Sequence, residues 1–139
     1  MEPSYELFDH TADMGIRVWA PTLPGLLIPA GEGLYTVIGD LVAGRESKPV
    51  TFDLTDDDPA VLLRDYLNEL LILFDRDALR FTALDVAVFD EHRLAVTVQT
   101  AHLDGERSVF HREVKAITYH KLDIRTIPGG FEATLIVDI

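Results

Sequence analysis

Tyr5-Glu6-Leu7-Phe8-Asp9-His10-Thr11-Ala12-Asp13-Met14-Gly15-Ile16-Arg17-Val18-Trp19 is the stretch whose reading decides the fold. Tyr5 to Phe8 reads as a short strand, and Gly15 to Trp19 as a second extended run. Only a few residues separate them, so the connection is tight, and Asp9, His10 and Asp13 place two carboxylates and an imidazole in it. Connections held between rigid elements are where chemistry concentrates. At the other end, Phe131 to Asp138 reads as a closing strand that brings Asp138 and Ile139 to its tip. Whether the two ends of the sequence make one site is the central question.

Outward from the first stretch, Thr22 can cap a helix reaching about Asp40, with Leu23, Leu26, Leu27, Leu34, Val37, Ile38 and Leu41 on its apolar side. Pro29 removes a backbone donor, and Gly25, Gly31 and Gly33 weaken helix propensity, so a kinked helix or one beginning near Ala30 is expected. Ala43 to Lys48 reads as a loop, and Pro49 to Leu54 alternates as a strand. Asp58 and Pro59 then signal a helix start, with Asp58 at the N-cap and the acidic run Asp56-Asp57-Asp58 at the positive end of the dipole. These three aspartates lack the glycine and later glutamate of a calcium loop, so capping is the stronger reading. From Pro59 to about Phe74, Leu62, Leu63, Tyr66, Leu67, Leu70, Leu71 and Phe74 form one broad apolar face for a sheet.

The remainder is rich in strands. Leu84, Val86 and Val88 are expected on one face, and Asp90-Glu91-His92-Arg93 turns the chain into a strand carrying Leu94, Val96 and Val98. Asp104-Gly105-Glu106 and Pro128-Gly129-Gly130 are turns. Glu113 to His120 begins a strand that is expected to run on toward Thr126. The whole predicts an α+β two-layer sandwich, a mostly antiparallel sheet with two helices on one face, in a single domain over residues 1–139.

Composition narrows the function. Of 139 residues, 47% are hydrophobic and 26% charged, as in a globular domain that needs no staple. The absence of cysteine excludes a disulfide framework, a thiolate zinc site and a cysteine nucleophile, and it fits a reducing cytoplasmic location. The start Met1-Glu2-Pro3-Ser4 is acidic and unlike a signal peptide, and no apolar run is long enough for a membrane span. With 24 acidic against 12 basic residues the net charge is −12, which disfavours stable direct binding to nucleic acid and suits a metal cation or a basic protein partner; solubility alone also explains it.

Asp138 and the terminal carboxylate of Ile139 are hard oxygen donors suited to Mg²⁺, Mn²⁺ or Ca²⁺, and Asp13 could supply a third. A two-residue loop in the last hairpin would put Tyr119 and Lys115 on the face of Asp138; a longer loop or a bulge would reverse this. Lys115 could neutralise the carboxylates or hold a phosphate. Each residue also has an ordinary structural role, Asp9 and Asp13 as turn formers and His10 as a hydrogen-bonded histidine. His111 and His120 stand alone in sequence, which argues against an imidazole zinc site. No phosphate-binding glycine loop, nucleophile elbow or dinucleotide fingerprint is present.

Four pieces together resemble the archease family: Phe8-Asp9-His10-Thr11-Ala12-Asp13 followed by Gly15-Ile16; Tyr66-Leu67-Asn68-Glu69-Leu70-Leu71 ending in Phe74-Asp75; Glu113-Val114-Lys115-Ala116-Ile117-Thr118-Tyr119-His120; and Val137-Asp138-Ile139. The resemblance implies an activating partner, not an enzyme, for the RtcB-type RNA ligase of tRNA splicing and RNA repair, one that promotes guanylylation of the ligase and its multiple turnover. It implies a divalent metal site, calcium among the candidates, at Asp13, Asp138 and the Ile139 carboxylate, an essential Lys115, and orienting roles for Asp9 and His10. The proline- and glycine-interrupted first helix departs from the family pattern. Two other function classes stay open on the residues: a free-standing metal-dependent phosphoesterase, which would turn over without a partner, and a chaperone-like binding module, which would bind unfolded clients without metal.

Overall fold

The computed structural model describes residues 1–139. Strand β1 (Ser4–His10) and strand β2 (Asp13–Ala20) form the expected hairpin, joined through Thr11 and Ala12. A single 3₁₀ turn, Pro24–Leu26, leads into helix α1 (Leu27–Ile38). Short strands β3 (Gly39–Asp40) and β4 (Ala43–Glu46) follow, then β5 (Val50–Thr55) and helix α2 (Pro59–Asp77). The chain closes with β6 (Leu79–Phe89), β7 (Arg93–Leu103), β8 (Val109–Phe110), β9 (Ala116–Ile117), β10 (Asp123–Ile127) and β11 (Gly130–Asp138).

The α+β class with two helices and antiparallel strands is as expected, but the strands divide into separate sheets. One is five-stranded, with β11 paired on one side to β2 and on the other to β10 and β9 in succession. The second is four-stranded around β7, and β3 with β8 makes a two-stranded ribbon. Helix α1 packs on β1 and β2, whereas α2 packs on β5, β6 and β7 and also reaches β9 and β10. Both helices and both larger sheets share one hydrophobic core.

Helix α2 begins where Asp58 accepts a hydrogen bond from the Ala60 amide at 2.9 Å, with Pro59 in the first turn, and ends at Ala78 in the left-handed region. Helix α1 starts three residues before the expected Ala30, because Pro29 lies in the first turn, where its missing N–H leaves no bond to lose. Thr22 does not cap α1, whose N-cap Leu26 makes no side-chain bond; it accepts from the Gly25 amide at 3.1 Å in the preceding 3₁₀ turn. Gly31 and Gly33 are buried contact points: a Cβ on Gly31 would lie 2.3 Å from the Phe81 ring, and one on Gly33 2.7 Å from Ile16. They admit the helix into a space between β2 and β6 that a side chain would close. The buried Tyr66 hydroxyl donates to the Leu27 carbonyl at 3.0 Å and pins the start of α1 to α2.

Three further expectations are corrected. Ala43 to Lys48 is not all loop, since β4 pairs with β7 in an irregular register. In β6 the register slips between Val86 and Val88, so Phe89, not Val88, lines up with the buried Leu94; the extra residue of a bulge exchanges the two faces. The strand expected from Glu113 toward Thr126 is broken: Lys121 has φ 51°, and the Leu122 amide donates back to the Tyr119 carbonyl at 3.4 Å, which turns the chain between β9 and β10.

Candidate functional site

The β1–β2 hairpin closes with His10 paired to Asp13, and its turn residue Ala12 holds φ 62°. A left-handed alanine costs on the order of 1–2 kcal/mol, a strain tolerated where a tight connection fixes what flanks it. The next strand over is β11, and its register sets Asp138 directly opposite Asp13. On the far side of β11, Asp138 pairs with Ala116. Directly paired residues face the same side of a sheet, so His10, Asp13, Asp138 and Ala116 form one row. The neighbouring row explains Gly15: it is paired with Phe8, and a Cβ there would fall within the Phe8 ring at 2.1 Å.

Two carboxylates from distant parts of the chain are therefore neighbours on one face, half-buried, with Ile139 next in sequence and also half-buried. Like charges directly opposite destabilise a sheet unless a cation lies between them. His10 Nδ1 is the basic atom within reach, 3.7 Å from an Asp13 carboxylate oxygen and beyond hydrogen-bonding distance. That nitrogen is buried without any hydrogen-bond partner. His120, isolated in the sequence, is brought to His10 with ring centroids 5.3 Å apart.

The last hairpin does have a two-residue loop, Ile127 pairing with Gly130. Its register does not carry through to β9, because the turn at Tyr119 to Leu122 changes the parity. Ala116 therefore occupies the position opposite Asp138, in place of Tyr119. Lys115 is tied by its backbone, its amide donating to the Asp138 carbonyl at 2.8 Å, while its side chain is exposed. Asp9 pairs with Met14 and so points to the other side of the hairpin from His10 and Asp13.

Two further residues, neither singled out by the sequence for a role, hold this segment. Arg64 of α2 donates from Nε to the Ile117 carbonyl at 2.9 Å and lies 4.4 Å from the Tyr119 ring centroid. Thr118 donates its hydroxyl to the Ile136 carbonyl at 2.8 Å. No spacing signal marks either, because both roles depend on the pairing of β9 with β11.

No three histidine, aspartate or glutamate side chains converge closely enough to form a metal cage by themselves. The two facing aspartates are oxygen donors of the kind a hard divalent ion takes, with its remaining oxygens coming from main chain, a terminal carboxylate or water. None of the surface hollows is lined by these half-buried residues. No helix is long and apolar enough to cross a membrane.

Comparison with known proteins gives the family. The model of the Archease protein family matches residues 5–139. Protein archease of Methanopyrus kandleri is 31% identical over 138 residues, covering 97% of this chain and 99% of that one. Protein archease of Thermococcus gammatolerans is 34% identical over 131 residues, covering 91% of each chain. Among solved structures, protein 1598 of Methanobacterium thermoautotrophicum superposes with a TM-score of 0.75 at 26% identity, over 98% of this chain and 99% of that one. A Thermotoga maritima structure described as an archease and possible chaperone has a TM-score of 0.68 at 16% identity, which bears on the fold alone. With the family model matched over nearly its whole length and relatives above 30% identity spanning it, the chain belongs to the archease family.

Proposed function

We propose that this protein is an accessory activator of an RtcB-type RNA ligase, working through a divalent-cation site at Asp13, Asp138 and the terminal carboxylate of Ile139. The observation that carries the reading is the direct pairing of Asp13 with Asp138 in a chain of this family. A bound Mg²⁺, Mn²⁺ or Ca²⁺ would supply positive charge and Lewis acidity toward phosphate oxygens.

The chain's own residues frame that site. Asp13 is held by two strands at once, β1 and β11, and Asp138 by β2 and β9, so neither carboxylate depends on a loose loop for its place. Lys115 leaves the backbone next to Asp138 with its ammonium free for a phosphate group of the partner's nucleotide. His10 places its unpartnered nitrogen 3.7 Å from the Asp13 carboxylate, where closing to hydrogen-bond distance would let it orient that group. The row offers two half-buried acids but lines no hollow in which to bury a substrate, which favours an accessory role over a phosphoesterase acting alone.

The test is reconstitution. Purified protein is added to a cognate ligase with GTP, Mn²⁺ and RNA bearing a 3′-phosphate, and ligase guanylylation and turnover are followed. Faster guanylylation and repeated turnover are expected. No change in either would overturn the proposal.

A further inference from the structure

On another part of the surface, Val109 and Phe110 are 50% and 58% exposed. Their backbone is nevertheless fixed. Strand β8 pairs with β3, and the Ile38 carbonyl at the end of α1 accepts from the amides of both His111 and Arg112, at 2.8 and 3.1 Å. The Ser108 hydroxyl bonds the Val42 amide at 2.9 Å. Gly39 makes this pairing possible, because a Cβ there would lie 2.0 Å from the Val109 carbonyl oxygen. Two apolar side chains are thus presented to solvent on a rigid frame, where a hydrophobic collapse of the segment would have hidden them.

Beside them is a hollow of about 410 Å³ lined by the apolar Ile38, Phe74 and Phe110 and by His111, Arg112 and Glu113. The Phe74 and Phe110 rings are 6.2 Å apart. Asp75 follows Phe74 on α2, and its carboxyl is held above the usual range by burial and then by the charge of Glu113, with no cation offsetting them. Arg112 is turned to the end of α1, donating to the Val37 carbonyl at 3.4 Å, and His111 faces Asp40 at 3.4 Å. The hollow therefore combines apolar walls with the Glu113 carboxylate, and Asp75, beside Phe74 on α2, is close enough to feel that charge. Arg112 and His111 on the same lining are engaged by Val37 and Asp40, and neither Asp75 nor Glu113 has an ion-pair partner.

We infer that this hollow is a docking surface for a segment of the partner protein that inserts a large apolar side chain between Phe74 and Phe110 and sets a lysine or arginine against Asp75 and Glu113. Charge complementarity selects the occupant: a basic residue relieves the Asp75–Glu113 repulsion, and a protein of net charge −12 meets basic surfaces readily. Glu113 lies two residues before Lys115 in the chain, so docking here would anchor the segment that presents the lysine. The inference rests on the ligase reading above and adds a contact surface outside the aspartate row.

The experiment titrates the full-length protein against its cognate ligase and reads both the half-saturating concentration and the plateau of guanylylation. Phe110→Ser and Glu113→Lys are each expected to raise the half-saturating concentration about tenfold while leaving the plateau unchanged. Ile28→Ser, at another exposed apolar position, is expected to change neither; unchanged thermal melts establish that the variants are folded. If the unaltered protein fails to stimulate the ligase, the ligase reading falls and this inference falls with it. If it stimulates, and both variants titrate like the unaltered protein, the docking surface alone is overturned. A concentration-dependent dimer that Phe110→Ser abolishes would overturn it too, by making a second copy of the chain the occupant.

Discussion

Asp13 and Asp138 stand directly opposite each other across the β2–β11 ladder, at the corner of the sheet where the first hairpin closes. With no cation between them, like charges directly opposed on a sheet cost stability. Asp13→Asn and Asp138→Asn are therefore expected to melt at or above the temperature of the unaltered protein in EDTA. Divalent ions should stabilise the unaltered protein only, by about 2.7 kcal/mol at a hundredfold excess over the dissociation constant, and raise its melting temperature accordingly. Calorimetry with and without Mn²⁺ or Ca²⁺ checks this, and equal metal stabilisation of all three proteins would refute the site.

Lys115 contributes to the fold through its backbone. Lys115→Ala is expected to keep stability within about 0.5 kcal/mol, as at other exposed positions, and to abolish ligase stimulation. A variant that stimulates normally would remove the lysine from the mechanism.

Gly31 and Gly33 reverse an ordinary rule. Alanine in place of glycine inside a helix usually stabilises by about 1 kcal/mol. Here the added methyl would meet Phe81 or Ile16 closer than van der Waals contact. Gly31→Ala and Gly33→Ala are each expected to lose about 1–3 kcal/mol, read from urea melts; a gain at either position would show that the core yields there.

Alkali should unfold the protein through two buried tyrosines. Burial pushes the Tyr35 hydroxyl up to about 12, and burial also raises Tyr66. Their folded values lie above the unfolded value near 10, so the unfolded chain gives up its protons first. The stabilisation they bring is complete below pH 10 and is lost as pH rises toward the folded values. Above pH 10, stability should fall by about 1.4 kcal/mol per pH unit for each such tyrosine. Urea melts from pH 9 to pH 11 measure it, and a flat profile would contradict the burial of these hydroxyls.

Sequence reading reached the elements whose signals are local. The Asp58–Pro59 cap marked the start of α2, and the apolar spacing marked its buried face. Pro128-Gly129-Gly130 marked the last turn, although the two-residue loop length, with Gly129 at φ 86°, stayed open until the pairing of Ile127 with Gly130 was seen. It missed what depends on the assembled fold. Gly31 and Gly33 look like helix breakers until Ile16 and Phe81 are beside them. Lys121, in a left-handed turn that no glycine or asparagine announces, ended a strand that alternation alone would extend. The candidate residues Asp13 and Asp138 were named from the chain itself, but a period-2 pattern cannot say which strands become neighbours. His120 beside His10 was hidden for the same reason.

The place of β11 between β2 and the β9–β10 side also sets an order of assembly. During synthesis Asp13 emerges long before Asp138, and the β1–β2 hairpin must wait, its inner edge unpaired, for the strand that completes it. An open strand edge invites the wrong neighbour, and joining strands so far apart in sequence is slow because a long loop must first close. A nascent chain interrupted before β11 would thus carry a bare sticky edge and only half of the aspartate pair.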